Sequence, residues 1–304
     1  MIQKILPLFL ILATLSACDK IDQPVIQQAS SGLEGLDWTL FPGGDPESYV
    51  VPTFSASSNT MRNVLLEDYT GHKCTNCPSA NQTASNLEAA YPGRVLVATV
   101  HASSTGNFQA VDAEHPLDFT TEAGDVYTTD IPGFFGNPSG TVNRRSLGVE
   151  SSVWYFDFQW ASEIESELNE NNAVNIQVET NYYPETNGLF IHTATESLSA
   201  LDENHRLVIY LLRKEVISPQ SLNDGSVDEE YEHHEVLTAN INGTWGTALR
   251  LDTMSTSDIA LHHFSYALPD PITDPTYQVQ NLKLLVYVMN RDTYRVVQII
   301  DKQL

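Results

Sequence analysis

Two cysteines, Cys74 and Cys77, are separated by Thr75-Asn76. They follow the apolar run Val64-Leu65-Leu66 and a turn at Gly71, and precede Pro78 and an alanine-containing polar stretch. Strand, turn, Cys-x-x-Cys and helix start, in that order, is what thiol redox chemistry needs. A thiolate is stabilised by the free N–H groups and partial positive charge of a helix N-terminus. A second sulfur one turn on can close a disulfide with it. Cys74, flanked by His72 and Lys73, is the expected nucleophile, and Cys77 the resolving thiol.

Two other uses of the pair stay open. One is a zinc site completed by His72, His101 or His115, although the chain has a single Cys-x-x-Cys and no spaced His motif. The other is a retained structural disulfide in a binding domain. A bridge across so short a loop removes little chain entropy, so a purely structural role is poorly motivated.

The third cysteine belongs to the start of the chain. Lys4 precedes an apolar run over residues 5–15 that ends in Leu15-Ser16-Ala17-Cys18. This reads as a lipoprotein signal over residues 1–17, cut before Cys18, with Cys18 carrying acyl chains. The membrane would then be held through the lipid anchor only, since no later segment has about 18 consecutive apolar residues. An exported chain sits in an oxidising compartment, where the remaining pair can form a disulfide.

The elements that position the pair follow from periodicity. Residues 18–60 are rich in Ser, Gly, Pro, Gln and Asp and are expected as a flexible tether. Residues 63–69 read as a strand, and 79–91 as a helix that stops at Pro92-Gly93. Residues 94–101 read as a nearly continuous apolar strand of the buried parallel kind. Together these make a right-handed βαβ crossover. Residues 113–129 carry some helical signal, 131–144 a loop feeding a short strand, and 154–171 an amphipathic helix with Trp154, Phe158, Ala161, Ile164 and Leu168 at helical spacing.

With these pieces in order, the first half resembles the thioredoxin superfamily. Asp68 precedes Cys74 at the end of the strand, where thioredoxins carry a buried acid that assists proton transfer. Pro138 precedes a short strand, where thioredoxin-like folds carry a cis-proline facing the cysteine pair. The resemblance implies that Asp68 accepts or relays a proton and that Pro138 positions a partner disulfide or peptide. Lys73 departs from the usual aromatic residue, and Thr75-Asn76 from the Gly-Pro of thioredoxin itself; the central pair tunes reduction potential, so the potential does not carry over. Longer pieces are similar to the outer-membrane-protein-28-related lipoproteins of Bacteroidota: Leu65 to Pro78, Asn137 to Arg144, Tyr231 to Leu237, Gly243-Thr244-Trp245-Gly246, and the terminal strands around Val286 and Val297. That resemblance implies an α/β thioredoxin-like domain over residues 61–172 and an all-β, immunoglobulin-like sandwich over residues 173–304.

The second half supports an all-β reading by itself. Residues 174–180 alternate strictly, and Asn187-Gly188 is a hairpin signal. Further strands are expected at 189–194, 207–212, 247–251, 259–268, 282–290 and 294–300, with a turn at 291–293. The doublets His233-His234 and His262-His263 cannot chelate by themselves, because neighbours on a strand point to opposite faces. Asp224, Asp228, Glu229 and Glu230 form an acidic loop without calcium-loop spacing. Trp154, Tyr155, Phe156 and Trp160 read as helix core.

Acidic residues outnumber basic ones 39 to 15, for a formal net charge of −24. This disfavours nucleic acid and anionic membrane surfaces as partners. The expectation is a bacterial envelope protein, an outer-membrane lipoprotein, that exchanges thiols and disulfides with other envelope proteins without cofactor or metal. The alternative is a non-catalytic lipoprotein that binds an unknown surface ligand on a vestigial thioredoxin-like scaffold.

Overall fold

A computed structural model describes residues 32–55, 61–146 and 152–304. The signal and Cys18 lie outside the described residues. The strands, in chain order, are β1 Val64–Thr70, β2 Val95–His101, β3 Ser139–Val142, β4 Trp154–Tyr155, β5 Val174–Tyr183, β6 Gly188–Ser197, β7 His205–Ile217, β8 Gln220–Ser221, β9 Val227–Asp228, β10 Glu232–Asn240, β11 Thr247–Ala248, β12 Ile259–Ala267, β13 Leu282–Asn290 and β14 Val296–Gln303. Among the described residues three α-helices accompany them: α1 Cys77–Ala90, α2 Glu122–Asp130 and α3 Trp160–Leu168. The chain is predominantly β.

The expected crossover forms. β1 and β2 are parallel with α1 between them, and β3 runs antiparallel to β1, with Asp68 opposite both Thr99 and Gly140. All residues of β1 and β2 are buried. α1 packs Ala80 and Ala84 onto Val64, Leu66, Val95 and Val97. It stops at Tyr91, and Gly93 supplies the positive φ of 70° that turns the chain into β2.

The two halves share one sheet. Its order is β14-β13-β7-β10-β2-β1-β3-β4, with β11 added on β7, and the join is the parallel pairing of β10 with β2, Val236 opposite Thr99. The sheet therefore runs straight across residue 172. The reason lies in β7 and β13, which are apolar on both faces and need cover on both. Leu207, Ile209 and Leu211 pack against β5 and β6, which with β12 form a separate three-stranded sheet. Val208, Tyr210 and Leu212 instead pack with Leu65 and Tyr69 of β1 and Leu96 of β2. The long sheet curls to bring these together, and β14 returns to the neighbourhood of β1. Val296 N donates to Asn143 O at 2.9 Å, Asn63 Nδ2 to Ile299 O at 2.9 Å, and Arg62 to Val296 O at 2.8 Å.

Three stretches differ from expectation. Residues 33–54, expected as tether, are docked on the second half: Leu36, Tyr49 and Phe190 are buried together, with Trp38, Phe41 and Tyr183 around them. The aromatic residues scattered through a polar sequence outweigh its turn-forming composition. Residues 154–171 divide into strand and helix. Trp154 and Tyr155 pair with Thr141 and Gly140 at the sheet edge, and the α-helix begins only at Trp160. Gly140 allows this, because a Cβ there would sit 2.6 Å from both Glu67 O and the Trp160 ring. β10 is a strand although its start, Glu232-His233-His234-Glu235, is polar and has no apolar alternation; His233 is buried against the site below while His234 is exposed.

Candidate functional site

The cysteine loop is a series of tight turns. Cys74 N donates to Gly71 O at 2.9 Å and Cys77 N to Cys74 O at 3.1 Å, so the chain coils directly into α1. Lys73 N donates to Phe108 O at 3.0 Å, which ties the loop to residues 103–110. This close approach needs glycine at position 71, where a Cβ would lie 2.6 Å from Phe108 O. Cys74 and Cys77 are joined in a disulfide, with Cα atoms 5.4 Å apart. Cys74 is 2% exposed and Cys77 fully buried, so Thr75 and Asn76 are what the loop presents to solvent.

Asp68 is buried below the first turns of α1. Asn81, four residues after Cys77 and hence on the same side of the helix, donates from Nδ2 to Asp68 Oδ2 at 2.6 Å. Asp68 Oδ1 has no partner among the described residues. Burial raises this carboxyl to about 7, against a smaller lowering by the Asn81 hydrogen bond. Asp68 thus sits against the same turn of α1 that begins at Cys77, held there through Asn81.

Asn137-Pro138 is a cis peptide at the start of β3. It lines a cleft of about 720 Å³ together with Thr75 and Asn76 of the cysteine loop. The structure thus brings Pro138 and the Cys74–Cys77 loop to one opening, with Asp68 beneath α1.

Sequence reasoning missed what covers the loop. The connection between β7 and β10 folds back over it. Gln220 Nε2 donates to Cys74 O at 3.2 Å, and Ser221 N donates to His72 O at 2.8 Å. Two histidines hold the same segment: His233 Nε2 lies 3.2 Å from Ser218 O, and His115 Nε2 lies 3.1 Å from Ser221 Oγ. These rings belong to a buried cluster built on Phe119. His101 lies 4.6 Å and His233 4.9 Å from the Phe119 ring, and His72 lies 4.9 Å from His115. Burial lowers the basicity of His72, His233 and, most strongly, His101, and the neighbouring imidazoles add to it. The only sequence signal was the number of histidines flanking the pair.

The remaining candidates separate. With the sulfurs bonded to each other there is no thiolate pair for zinc, and among the described residues no group of three or more His, Cys, Asp or Glu side chains is placed to hold a metal ion. His263 and His262 are held apart, the first by His192 Nδ1 at 2.7 Å and the second by Ala248 O at 3.1 Å. Trp154, Tyr155 and Trp160 are buried, but Phe156 is 48% exposed rather than core. Among the described residues no helix is long and apolar enough to cross a membrane.

Comparison with known proteins places this architecture. Among solved structures, HBP35 of Porphyromonas gingivalis matches with a TM-score of 0.58 at 16% identity, over 82% of this chain and 77% of that one. A protein of Agrobacterium tumefaciens matches with a TM-score of 0.46 at 10% identity, over 80% of this chain and 95% of that one. No curated protein matches. The model of the family described as outer membrane protein Omp28 matches residues 128–304. That match includes the cis-proline, the covering segment and the whole of the second half, and the chain belongs to the outer membrane protein Omp28 family.

Proposed function

We propose that this protein is a lipid-anchored cell-envelope protein whose thioredoxin-like first half exchanges thiols and disulfides with other envelope proteins. The observation that carries the reading is the buried Asp68 carboxyl, raised to about 7 and lodged under the helix turn that begins at Cys77. The parallel β1-α1-β2 unit, the antiparallel β3 and the cis Asn137-Pro138 bond support the thioredoxin-like assignment. The three-stranded sheet stacked on β7, β13 and β14 supports a sandwich of immunoglobulin kind in the second half. The family description supports the envelope location, and the lipobox ending at Cys18 the anchor.

In the exchange, a thiolate of a partner dithiol attacks Cys74 Sγ. The Cys74–Cys77 bond breaks, a mixed disulfide forms, and Cys77 leaves as a thiolate that takes the Asp68 proton. The second partner thiol then gives its proton to the Asp68 carboxylate and attacks the mixed disulfide, and Cys74 leaves as a thiolate that takes up from water the proton the first partner thiol released there. Two electrons and two protons pass from the partner dithiol to the cysteine pair, and the partner becomes a disulfide.

Insulin reduction and refolding-oxidase assays test this, with Cys74→Ser as control. Activity lost in Cys74→Ser supports the reading; an inactive protein whose disulfide resists reduction overturns it. One observation favours a second reading, a ligand-binding lipoprotein with a structural disulfide: both cysteines are covered, and Gln220 is fastened over Cys74. The same assays decide between them.

A further inference from the structure

Beside the cysteine loop stands a group of exposed aromatic rings. Phe135, Phe156 and Phe158 are 46%, 48% and 77% exposed, yet packed on one another. Phe135 lies 4.5 Å from Phe156, and Phe156 is stacked on Phe158 at 5.5 Å with 9° between the planes. Exposed aromatic rings gathered into a shelf mark an interaction site more often than isolated surface residues do. Phe135 and Phe156 also line the cleft that holds Thr75, Asn76 and Pro138. Two carboxylates, Asp157 and Asp224, line the same cleft, and among the described residues no Lys or Arg does.

We infer that this cleft selects partner segments that carry an aromatic side chain next to a basic one, the aromatic ring lying on the Phe135/Phe156/Phe158 shelf and the cation between Asp157 and Asp224. The inference rests on the thiol-exchange reading, which makes the occupant a polypeptide, and adds which polypeptide. Aromatic rings stack on phenylalanine faces. A Lys or Arg at the cleft meets two carboxylates and no opposing cation. Asp224 belongs to the connection that covers Cys74, whereas Phe156 and Asp157 lie just before α3, so a bound segment spans both walls and passes the exposed Thr75-Asn76 edge of the disulfide loop.

The test is peptide binding to the full chain carrying Cys74→Ser and Cys77→Ser, which removes exchange chemistry. Dye-labelled, end-blocked Ala-Arg-Phe-Lys-Phe-Ala is compared by anisotropy with the Glu-for-basic and the Gly-for-aromatic peptides. The basic aromatic peptide is expected to bind roughly tenfold tighter than either, and to weaken with salt. Phe156→Ala should erase the aromatic preference, and Asp157→Asn with Asp224→Asn the basic one, each with an unchanged melting temperature. Equal binding of the three peptides, or preferences that survive these substitutions, overturns the inference. Failure here with insulin reduction intact leaves the exchange reading standing. Selective binding with no exchange activity in the unmodified chain makes the cleft a peptide site and removes the exchange reading instead.

Discussion

Asn81 donates to one oxygen of Asp68 at 2.6 Å and leaves the other oxygen, buried, without a partner among the described residues. Burial, opposed by this single donor only, keeps Asp68 protonatable. Had both oxygens been satisfied by donors, the charged form would be favoured and the carboxyl would hold no proton near neutrality. Its folded-state value, about 7, stands above the ordinary 3.8. The stability it contributes is therefore complete below pH 3.8 and is lost as the pH rises through about 7. Asp68→Asn should be more stable than the natural protein at pH 8, by at most roughly 4 kcal/mol, with the advantage gone by pH 4. Its thiol exchange should be slower by an order of magnitude or more. Urea unfolding at the two pH values, with insulin reduction at pH 7, checks both halves.

A second buried carboxylate, the neighbour of Asp68 on β1, behaves in the opposite way. Glu67 receives two hydrogen bonds from Arg144, at 2.7 and 2.8 Å, with both side chains fully buried. Thr141 and Tyr210 donate to the same carboxylate at 2.7 and 2.9 Å. Burial alone would raise Glu67, but Arg144 and these donors outweigh it and hold it below the usual range. Tyr210 belongs to β7, so the network joins the two halves inside the curled sheet. Glu67→Gln leaves Arg144 charged in the core and should cost roughly 3–5 kcal/mol in chemical denaturation. The double substitution Glu67→Leu with Arg144→Met should recover most of that loss, because no uncompensated charge remains.

How far these features could be read from the sequence depended on how local they are. β1, α1 and β2 were legible because apolar runs, Pro78 and Pro92-Gly93 act within a few residues. The hairpin at Asn187-Gly188 was legible for the same reason, and the turn between β5 and β6 falls there. The shared sheet was not, because the pairing of Val236 with Thr99 depends on contacts more than 130 residues apart. β10 was hidden by polar residues whose burial is explained only by partners elsewhere, such as His233 against Phe119. The docked segment 33–54 was hidden by its Gly, Pro and Asp content, although Trp38, Phe41 and Tyr49 were visible in it. At the site, the cysteines could be named from spacing and Asp68 and Pro138 from the thioredoxin resemblance, while Gln220 and Asn81 could not be named, since a lone amide carries no pattern.

The histidines around Phe119 give the protein a predictable response to acid. His233 is held at about 4, against an ordinary 6.5, by burial first and by neighbouring His72 and His234 against hydrogen bonds that act the other way. The unfolded chain therefore takes up protons that the native state refuses as the pH falls from 6.5 to about 4. Stability is lost over that window, by roughly 3 kcal/mol from His233 alone. His101 acts in the same direction, and neither of its ring nitrogens has a partner among the described residues. His101→Phe keeps the ring contact with Phe119 and removes two unpaired polar atoms. It should raise stability at pH 5 by about 1–3 kcal/mol and flatten the pH dependence between 5 and 7. Denaturant midpoints across that range measure the slope; an unchanged slope would falsify this account of the cluster.

The covering segment sets how easily a reductant reaches the disulfide. Gln220 Nε2 bonds Cys74 O at 3.2 Å and Ser221 O at 3.0 Å, so one amide pins both the loop and the segment lying over it. Gln220 is nearly fully buried, and its removal leaves Cys74 O without this donor and a void at the seam. Gln220→Ala should destabilise the protein by about 1–2 kcal/mol, the range for losing a buried side-chain hydrogen bond. Reduction by dithiothreitol under native conditions should accelerate by more than that loss of global stability accounts for, because the attack needs only local opening of residues 218–222. Timed trapping of free thiols in the natural protein and the variant, alongside their unfolding free energies, separates the two routes. An acceleration no larger than the change in global unfolding would mean that the disulfide is reached only through complete unfolding, and that the segment is a fixed part of the fold rather than a cover.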